Sequence, residues 1–201
     1  MYDLLSDEPR DHTKGSDISI QDDAKGEVHV KNLSVHTVSN EEQALNFLFE
    51  GETKKTTAAT NMNEHSSRAH SVYTVYIQSK SRMGNTEKVI HSKLHLVDLA
   101  GNERTKKLDA QSRVKEANYI NKSLSFLEQV VVASCDSNKD HVPYRQSKLT
   151  NLLKNSIGGN CQTVMIANVW PEEAYLEETI STLKFASRMM KVENEAKVNE
   201  L

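Results

Sequence analysis

Two stretches decide how this chain reads: Asn63-Glu64-His65-Ser66-Ser67-Arg68-Ala69-His70 and Leu96-Val97-Asp98-Leu99-Ala100-Gly101-Asn102-Glu103. The first runs straight into Val72 to Ile77, rich in Val and Tyr and read as a strand. The second leaves Val89 to Val97, a strand ending in Asp98. A strand that ends in Asp, with Gly three residues on, suits a phosphoryl-transfer switch. The Asp98 carboxylate can hold a magnesium-bound water, and Gly101 lets its N–H approach a γ-phosphate with no side chain in the way. The Ser66-Ser67 hydroxyls can supply one Mg²⁺ ligand and one phosphate contact. Arg68 offers a fork for a carboxylate, and Glu103 is the nearest candidate. Alone, Asp-x-x-Gly fits any strand-to-loop turn, and Ser-Ser-Arg fits any polar loop. Together, in this order around a strand pair, they outweigh that reading.

Outward from these loops, the chain alternates strands and helices. Met1 to Leu5 is a short apolar piece and Ser6 to Asp17 a polar loop. Ile18 to Ile20 and Val28 to Val30, separated by Asp23-Ala24-Lys25-Gly26, read as a small hairpin. Ser39 with Glu42 three residues later makes a capping box, and Ala44, Leu45, Leu48 and Phe49 follow at helical spacing towards Thr57. Asn61 to His70 is a polar loop, and Arg82 to Glu87 turns the chain between the two strands. From Val114, the positions Ala117, Ile120, Leu124, Leu127 and Val131 predict a long helix. Pro143 begins a segment whose helix covers Ser147 to Ser156 and stops at Gly158-Gly159. Val164 to Val169 reads as a strand, and Pro171-Glu172-Glu173 opens a last helix through about Met190. The pattern argues α/β with a layered sheet.

The 201 residues suffice for one domain with a sizeable core. With 37% hydrophobic and 26% charged residues the composition is globular, and no apolar run reaches the ~18 residues of a membrane span. The first twenty residues are too acidic and polar for a signal peptide. A net charge of −3 argues against a strong nucleic-acid field. Cys135 and Cys161 lie too far apart for a metal knuckle and read as buried, reduced thiols. The eight histidines show no metal-ligand spacing.

The motif loops resemble those of the kinesin motor family. Asn63-x-x-Ser66-Ser67-Arg68-Ala69-His70 is similar to switch I, with Ala69 where most members have Ser. Asp98-Leu99-Ala100-Gly101-Asn102-Glu103 is similar to switch II, with Asn102 for Ser. Ile120-Asn121-Lys122-Ser123-Leu124, the run His141 to Thr150, Gly158-Gly159-Asn160 and Leu183 to Arg188 extend the likeness over practically the whole chain. Leu33 to Thr53 and Leu124 to Gln129 look most like the ninth kinesin family, which works in cilia and flagella. The resemblance implies part of a kinesin-type P-loop NTPase fold, a central mixed sheet flanked by helices. Residues 1–190 would form the C-terminal part of a motor domain and 191–201 a neck-linker-like segment.

The resemblance also implies roles. Ser67 would coordinate Mg²⁺, Ser66 would face the γ-phosphate of ATP, Asp98 would hold the metal's water shell, and Gly101 would sense the phosphate. Arg68 and Glu103 would pair when the site closes. Asn63, His70 and Asn121 would follow the switch state. Tyr144, Arg145 and Lys148 would face tubulin, although at a plain helix start such cations are merely solvated. Val192, Asn194 and Asn199 would belong to the docking segment. The expected location is the cytoplasm and cytoskeleton, cilium or flagellum included, with no nucleic-acid or membrane partner. A stalk beyond Leu201 would make the homodimer.

Departures are as informative. None of the seven glycines is followed by Lys, so the chain has no G-x-x-x-x-G-K-[ST], and the adenine-contacting segment is absent too. Thr105 to Arg113 lacks the usual hinge glycines and is one residue shorter, and Asn151 stands where many relatives carry a tubulin-facing Arg. The expectation is the second half of a microtubule-stimulated ATPase, inactive alone. The alternatives are a non-catalytic microtubule-binding module and a plain α/β interaction domain. The strand at Val164 to Val169 would lack its P-loop neighbour, so the chain alone is expected to be molten or aggregated.

Overall fold

The computed structural model describes residues 3–5, 18–23, 26–62, 69–80, 89–101, 111–136 and 141–199. The first element is the expected hairpin, β1 (Ser19–Asp22) antiparallel to β2 (Val28–Lys31), with Asp22 opposite Val28. Asp23 closes its turn: its carboxylate accepts from the Glu27 N–H at 2.8 Å, and its carbonyl accepts from the Gly26 N–H at 3.0 Å. Gly26 has φ +79°, a left-handed conformation that costs glycine little.

Helix α1 (Glu41–Met62) runs five residues beyond Thr57. Its start is one residue later than the Ser39–Glu42 box. The Asn40 side chain accepts from the Gln43 N–H at 2.9 Å, and Gln43 reaches back to the Ser39 N–H at 2.9 Å. Asn is as good a cap as Ser, and Gln serves as well as Glu at the third position. The α1 face touching the sheet is narrow: the Tyr73 hydroxyl donates to the Ala44 carbonyl at 2.8 Å, while Leu45 and Phe49 stay exposed.

Strands β3 (Ser71–Lys80) and β4 (Val89–Asp98) pair antiparallel along ten residues each, from Ser71 opposite Asp98 to Lys80 opposite Val89. The turn expected at Arg82 to Glu87 lies outside the described residues. Helix α2 (Gln111–Ser134) begins three residues before Val114. Its Leu127, Val130 and Val131 form the core with Leu149, Leu153 and Ile157, bordered by Val142, Tyr144, Phe185, Met189 and Val192. Fully burying each such aliphatic side chain contributes roughly 1.5–3 kcal/mol.

The segment after Pro143 is broken rather than one helix. A 3₁₀ turn (Tyr144–Gln146) precedes α3 (Lys148–Leu152), and a second 3₁₀ turn covers Lys154–Ser156. Ser147, extended at φ −140°, caps α3 in a capping box with Thr150. Thr150 is fully buried, and its hydroxyl also donates to the Tyr144 carbonyl at 2.6 Å. A 3₁₀ turn (Glu173–Tyr175) leads into α4 (Leu176–Met189), close to the expected last helix.

Three expectations are corrected. Residues 164–169 form no strand, and Val164 and Ile166 are 88% and 83% exposed. A strand's backbone needs a paired neighbour, and none adjoins it among the described residues. The helix expected over Ser147 to Ser156 is broken into α3 and a 3₁₀ turn, while the described strands form two two-stranded antiparallel sheets. Cys135 is exposed and Cys161 half-exposed, each donating its thiol to a backbone carbonyl at 3.3 Å.

Candidate nucleotide-switch and partner-binding sites

Asp98 ends β4, as its motif requires. On α1, Lys55 reaches across to it: the ammonium donates to Asp98 Oδ2 at 2.7 Å and to Ser71 Oγ at 3.2 Å. Lys55 is 8% exposed and Asp98 65%, so the cation lies beneath the carboxylate. Sequence reading missed Lys55. The signal was there: Lys54 pairs with Glu50 one helical turn earlier, whereas Lys55 has Gly51 at that spacing.

His70 stands between three elements. Its Nδ1 accepts from the Ala100 N–H at 3.0 Å, so its proton sits on Nε2, 2.7 Å from Ser123 Oγ. Ser123 in turn donates to the Ile120 carbonyl at 2.7 Å. One ring therefore links the residue ahead of β3, the peptide preceding Gly101, and α2. Burial pushes the His70 pKa below its ordinary 6.5; Asp98 opposes that shift and Lys55 adds to it. A protonated ring would place a second N–H against that of Ala100. Ser123 was also missed as a member of this group, though it lies in the run Ile120 to Leu124.

Gly101 is half-buried after the buried Ala100, and Asn121 is half-buried on α2. Asn63, Ser66, Ser67, Arg68 and Glu103 lie outside the described residues. Asp98 fits a metal's water shell, because its carboxylate stays largely exposed with Lys55 on one oxygen only. ATP fits less well: the sequence offers neither the amide cradle nor the Lys that hold its phosphates.

The partner-facing residues differ in exposure and in bonding. Tyr144 turns inward, donating to the Ile157 carbonyl at 2.6 Å, so its hydroxyl is not free for a partner. Arg145 is 81% exposed, with Nη2 2.6 Å from Asp22 Oδ2 of the hairpin. Lys148 is exposed at the start of α3. Beyond α4 the chain lies along Gly158 to Asn160. The Gly158 N–H donates to Asn194 Oδ1 at 2.6 Å, the Glu195 N–H to the Gly159 carbonyl at 3.1 Å, and Asn160 Nδ2 to Asn199 Oδ1 at 2.8 Å. The His91 N–H donates to the Asn199 carbonyl at 3.1 Å, which covers the edge of β4.

A family model, the kinesin motor domain, matches residues 1–192. The chain belongs to the kinesin family. Kinesin-like protein KIF9 of Mus musculus is 50% identical over 201 residues, covering all of this chain and 25% of the relative. Kinesin-like protein KLP1 of Chlamydomonas reinhardtii is 45% identical over 202 residues, again with 25% of the relative covered. The chain thus spans about a quarter of the length of each of these two relatives. A solved KIF14 dimer, in a two-heads-bound state with AMP-PNP in complex with a microtubule, superposes with a TM-score of 0.85 at 37% identity. That match covers 98% of this kinesin chain and 56% of the other. The kinesin-type α/β fold therefore holds, and the likeness to the ninth family meets a relative of that name.

Proposed function

We propose that this kinesin chain is the C-terminal part of the motor domain of a microtubule motor, coupling ATP hydrolysis to movement once a P-loop-bearing segment completes it. The observation that carries the proposal is the His70 ring, which ties the strand exit at Ala100 to α2 through Ser123. A phosphate sensed at Gly101 would thereby be felt by the helix. In this reading Ser66 and Ser67 meet phosphate and Mg²⁺, Asp98 holds the metal's water, and Arg68 and Glu103 close over the reaction. Asn63, His70 and Asn121 follow the switch, and Arg145 and Lys148 meet the acidic track. Residues 191–201 are its neck-linker-like segment. The work is done in the cytoplasm on the cytoskeleton, in a cilium or flagellum by likeness to the ninth family. A stalk beyond Leu201 would supply the dimer.

The loss of the hinge glycines from Thr105 to Arg113, with Asn102 in place of a switch serine, favours a second reading, a non-catalytic microtubule-binding module. One experiment separates the two. The chain is assayed alone and fused behind a kinesin segment carrying the P-loop, for microtubule co-sedimentation and for microtubule-stimulated ATPase. The motor reading expects binding and turnover in the fusion and neither in the chain alone, which does not fold cooperatively by itself. A fusion that binds nucleotide and microtubules without turnover supports the module. A fusion that fails to pellet with microtubules at low salt overturns both.

A further inference from the structure

The hairpin is fastened to the segment that carries the partner-facing cations. Asn155 Nδ2 donates to Glu27 Oε2 at 2.8 Å, and Lys154 Nζ donates to the Gly26 carbonyl at 3.2 Å. These bonds fix the end of β1, where Asp22 is 20% exposed. Its Oδ2 accepts from Arg145 at 2.6 Å, and its Oδ1 lies 3.7 Å from Lys154 Nζ with no hydrogen bond of its own. One carboxylate therefore faces two cations, although neither motif nor spacing marked the hairpin as part of the partner surface.

We propose that Asp22 is a built-in brake on microtubule binding, an internal carboxylate that offsets the charge of Arg145 and Lys154 before an acidic track can meet it. The inference rests on the microtubule reading above. Two effects of Asp22 compete. As a tether it would order the Arg145 side chain and strengthen binding; as a negative charge it would weaken it. Arg145 is 81% exposed and gives the hairpin a single nitrogen, so the tether orders little. The charge, by contrast, is fixed beside the surface by the Asn155 and Lys154 bonds that dock the hairpin. Charge at the rim of an interface sets association rate and salt dependence, so the charge effect prevails. Asp22 is not needed to dock the hairpin, because the Asn155 and Lys154 bonds remain without it.

The test measures co-sedimentation with microtubules at low and moderate salt for the chain fused behind the P-loop segment, and for Asp22→Asn, Arg145→Ala and the double variant of that fusion. Asp22→Asn is expected to tighten binding by about threefold or more at low salt, with a steeper salt dependence. In the Arg145→Ala background that gain should fall by at least half. Asp22→Ser serves as a second variant, checked for unchanged far-UV circular dichroism, and should agree with Asp22→Asn. Unchanged or weaker binding by Asp22→Asn overturns the brake, as does an equal gain with and without Arg145. A parent fusion that never pellets overturns the microtubule reading itself, and the brake with it.

Discussion

His70 is held neutral by what surrounds it. Burial, the first cause, and the Lys55 charge lower its pKa, with Asp98 partly offsetting them. The unfolded ring takes up its proton near 6.5 and the folded ring only at lower pH, so protonation favours opening. The contribution of His70 is fully present above about pH 6.5 and is lost as pH falls through the lowered folded value. Protection of the Ala100 amide against hydrogen exchange, corrected for intrinsic rate, should drop between pH 7.5 and 5.5. In His70→Ala it should be low at both, and equal protection in parent and variant would show that the ring does not hold this peptide. Ser123→Ala strands the buried Nε2–H and should cost about 1–3 kcal/mol of local stability. Arg145 and Lys148 do not share a helix, since the extended Ser147 separates them, yet both are exposed. Arg145→Ala with Lys148→Ala should weaken microtubule co-sedimentation and flatten its salt dependence, and superimposable binding curves would refute the assignment.

Elements whose sequence carries a period and a partner were legible. The hairpin, both long strands, α2 and α4 were found within a few residues, because alternating Val and Tyr, or Ile120, Leu127 and Val131 on one face, report directly on what is buried. Residues 164–169 look the same on paper but form no strand, since alternation says what a segment could pair with and not whether a neighbour is there. The broken helix at Leu153 was illegible for another reason: Leu149, Leu153 and Ile157 keep helical spacing while the backbone tightens to 3₁₀ turns. Of the site, the motif residues were readable and Lys55 was marked only by the missing carboxylate one turn earlier, whereas Ser123 and Asp22 act across the fold at sequence separations that no local pattern encodes. The two glycines before Asn160 show how tightly the last element is held. A Cβ on Gly159 would lie 2.8 Å from the Asn155 carbonyl oxygen, and Gly158 has φ +78° with its N–H on Asn194. Gly159→Ala should cost about 1–3 kcal/mol and loosen residues 192–199. Limited proteolysis should then cut that segment faster than in the parent, and an unchanged rate would show that the backbone yields without cost.

At the scale of the molecule, the chain is under-covered. Its accessible surface is 15,093 Å², whereas a compact 22.6 kDa protein exposes about 9,500 Å². Val164, Ile166, Trp170, Leu176 and Leu183 all contribute large exposed apolar area. Alone, the chain should show helical far-UV signal without one sharp thermal transition, with slow exchange confined to the α2–α3–α4 core. Coincident sharp transitions by two probes would show a self-sufficient fold. Nor should it bind Mg·ATP at micromolar levels, and tight magnesium-dependent binding in a fluorescent-nucleotide titration would contradict this. The seal of Asn199 on His91 has a further consequence, for the chain as it is made. The two residues are 108 apart, so at ribosomal rates of about 5–20 residues per second the outer edge of β4 stays bare for roughly 5–20 s after His91 is synthesised. An uncovered edge invites pairing with other chains. The nascent protein therefore passes through a window in which a chaperone, or a strand from elsewhere, competes for the place its own C-terminal segment later takes.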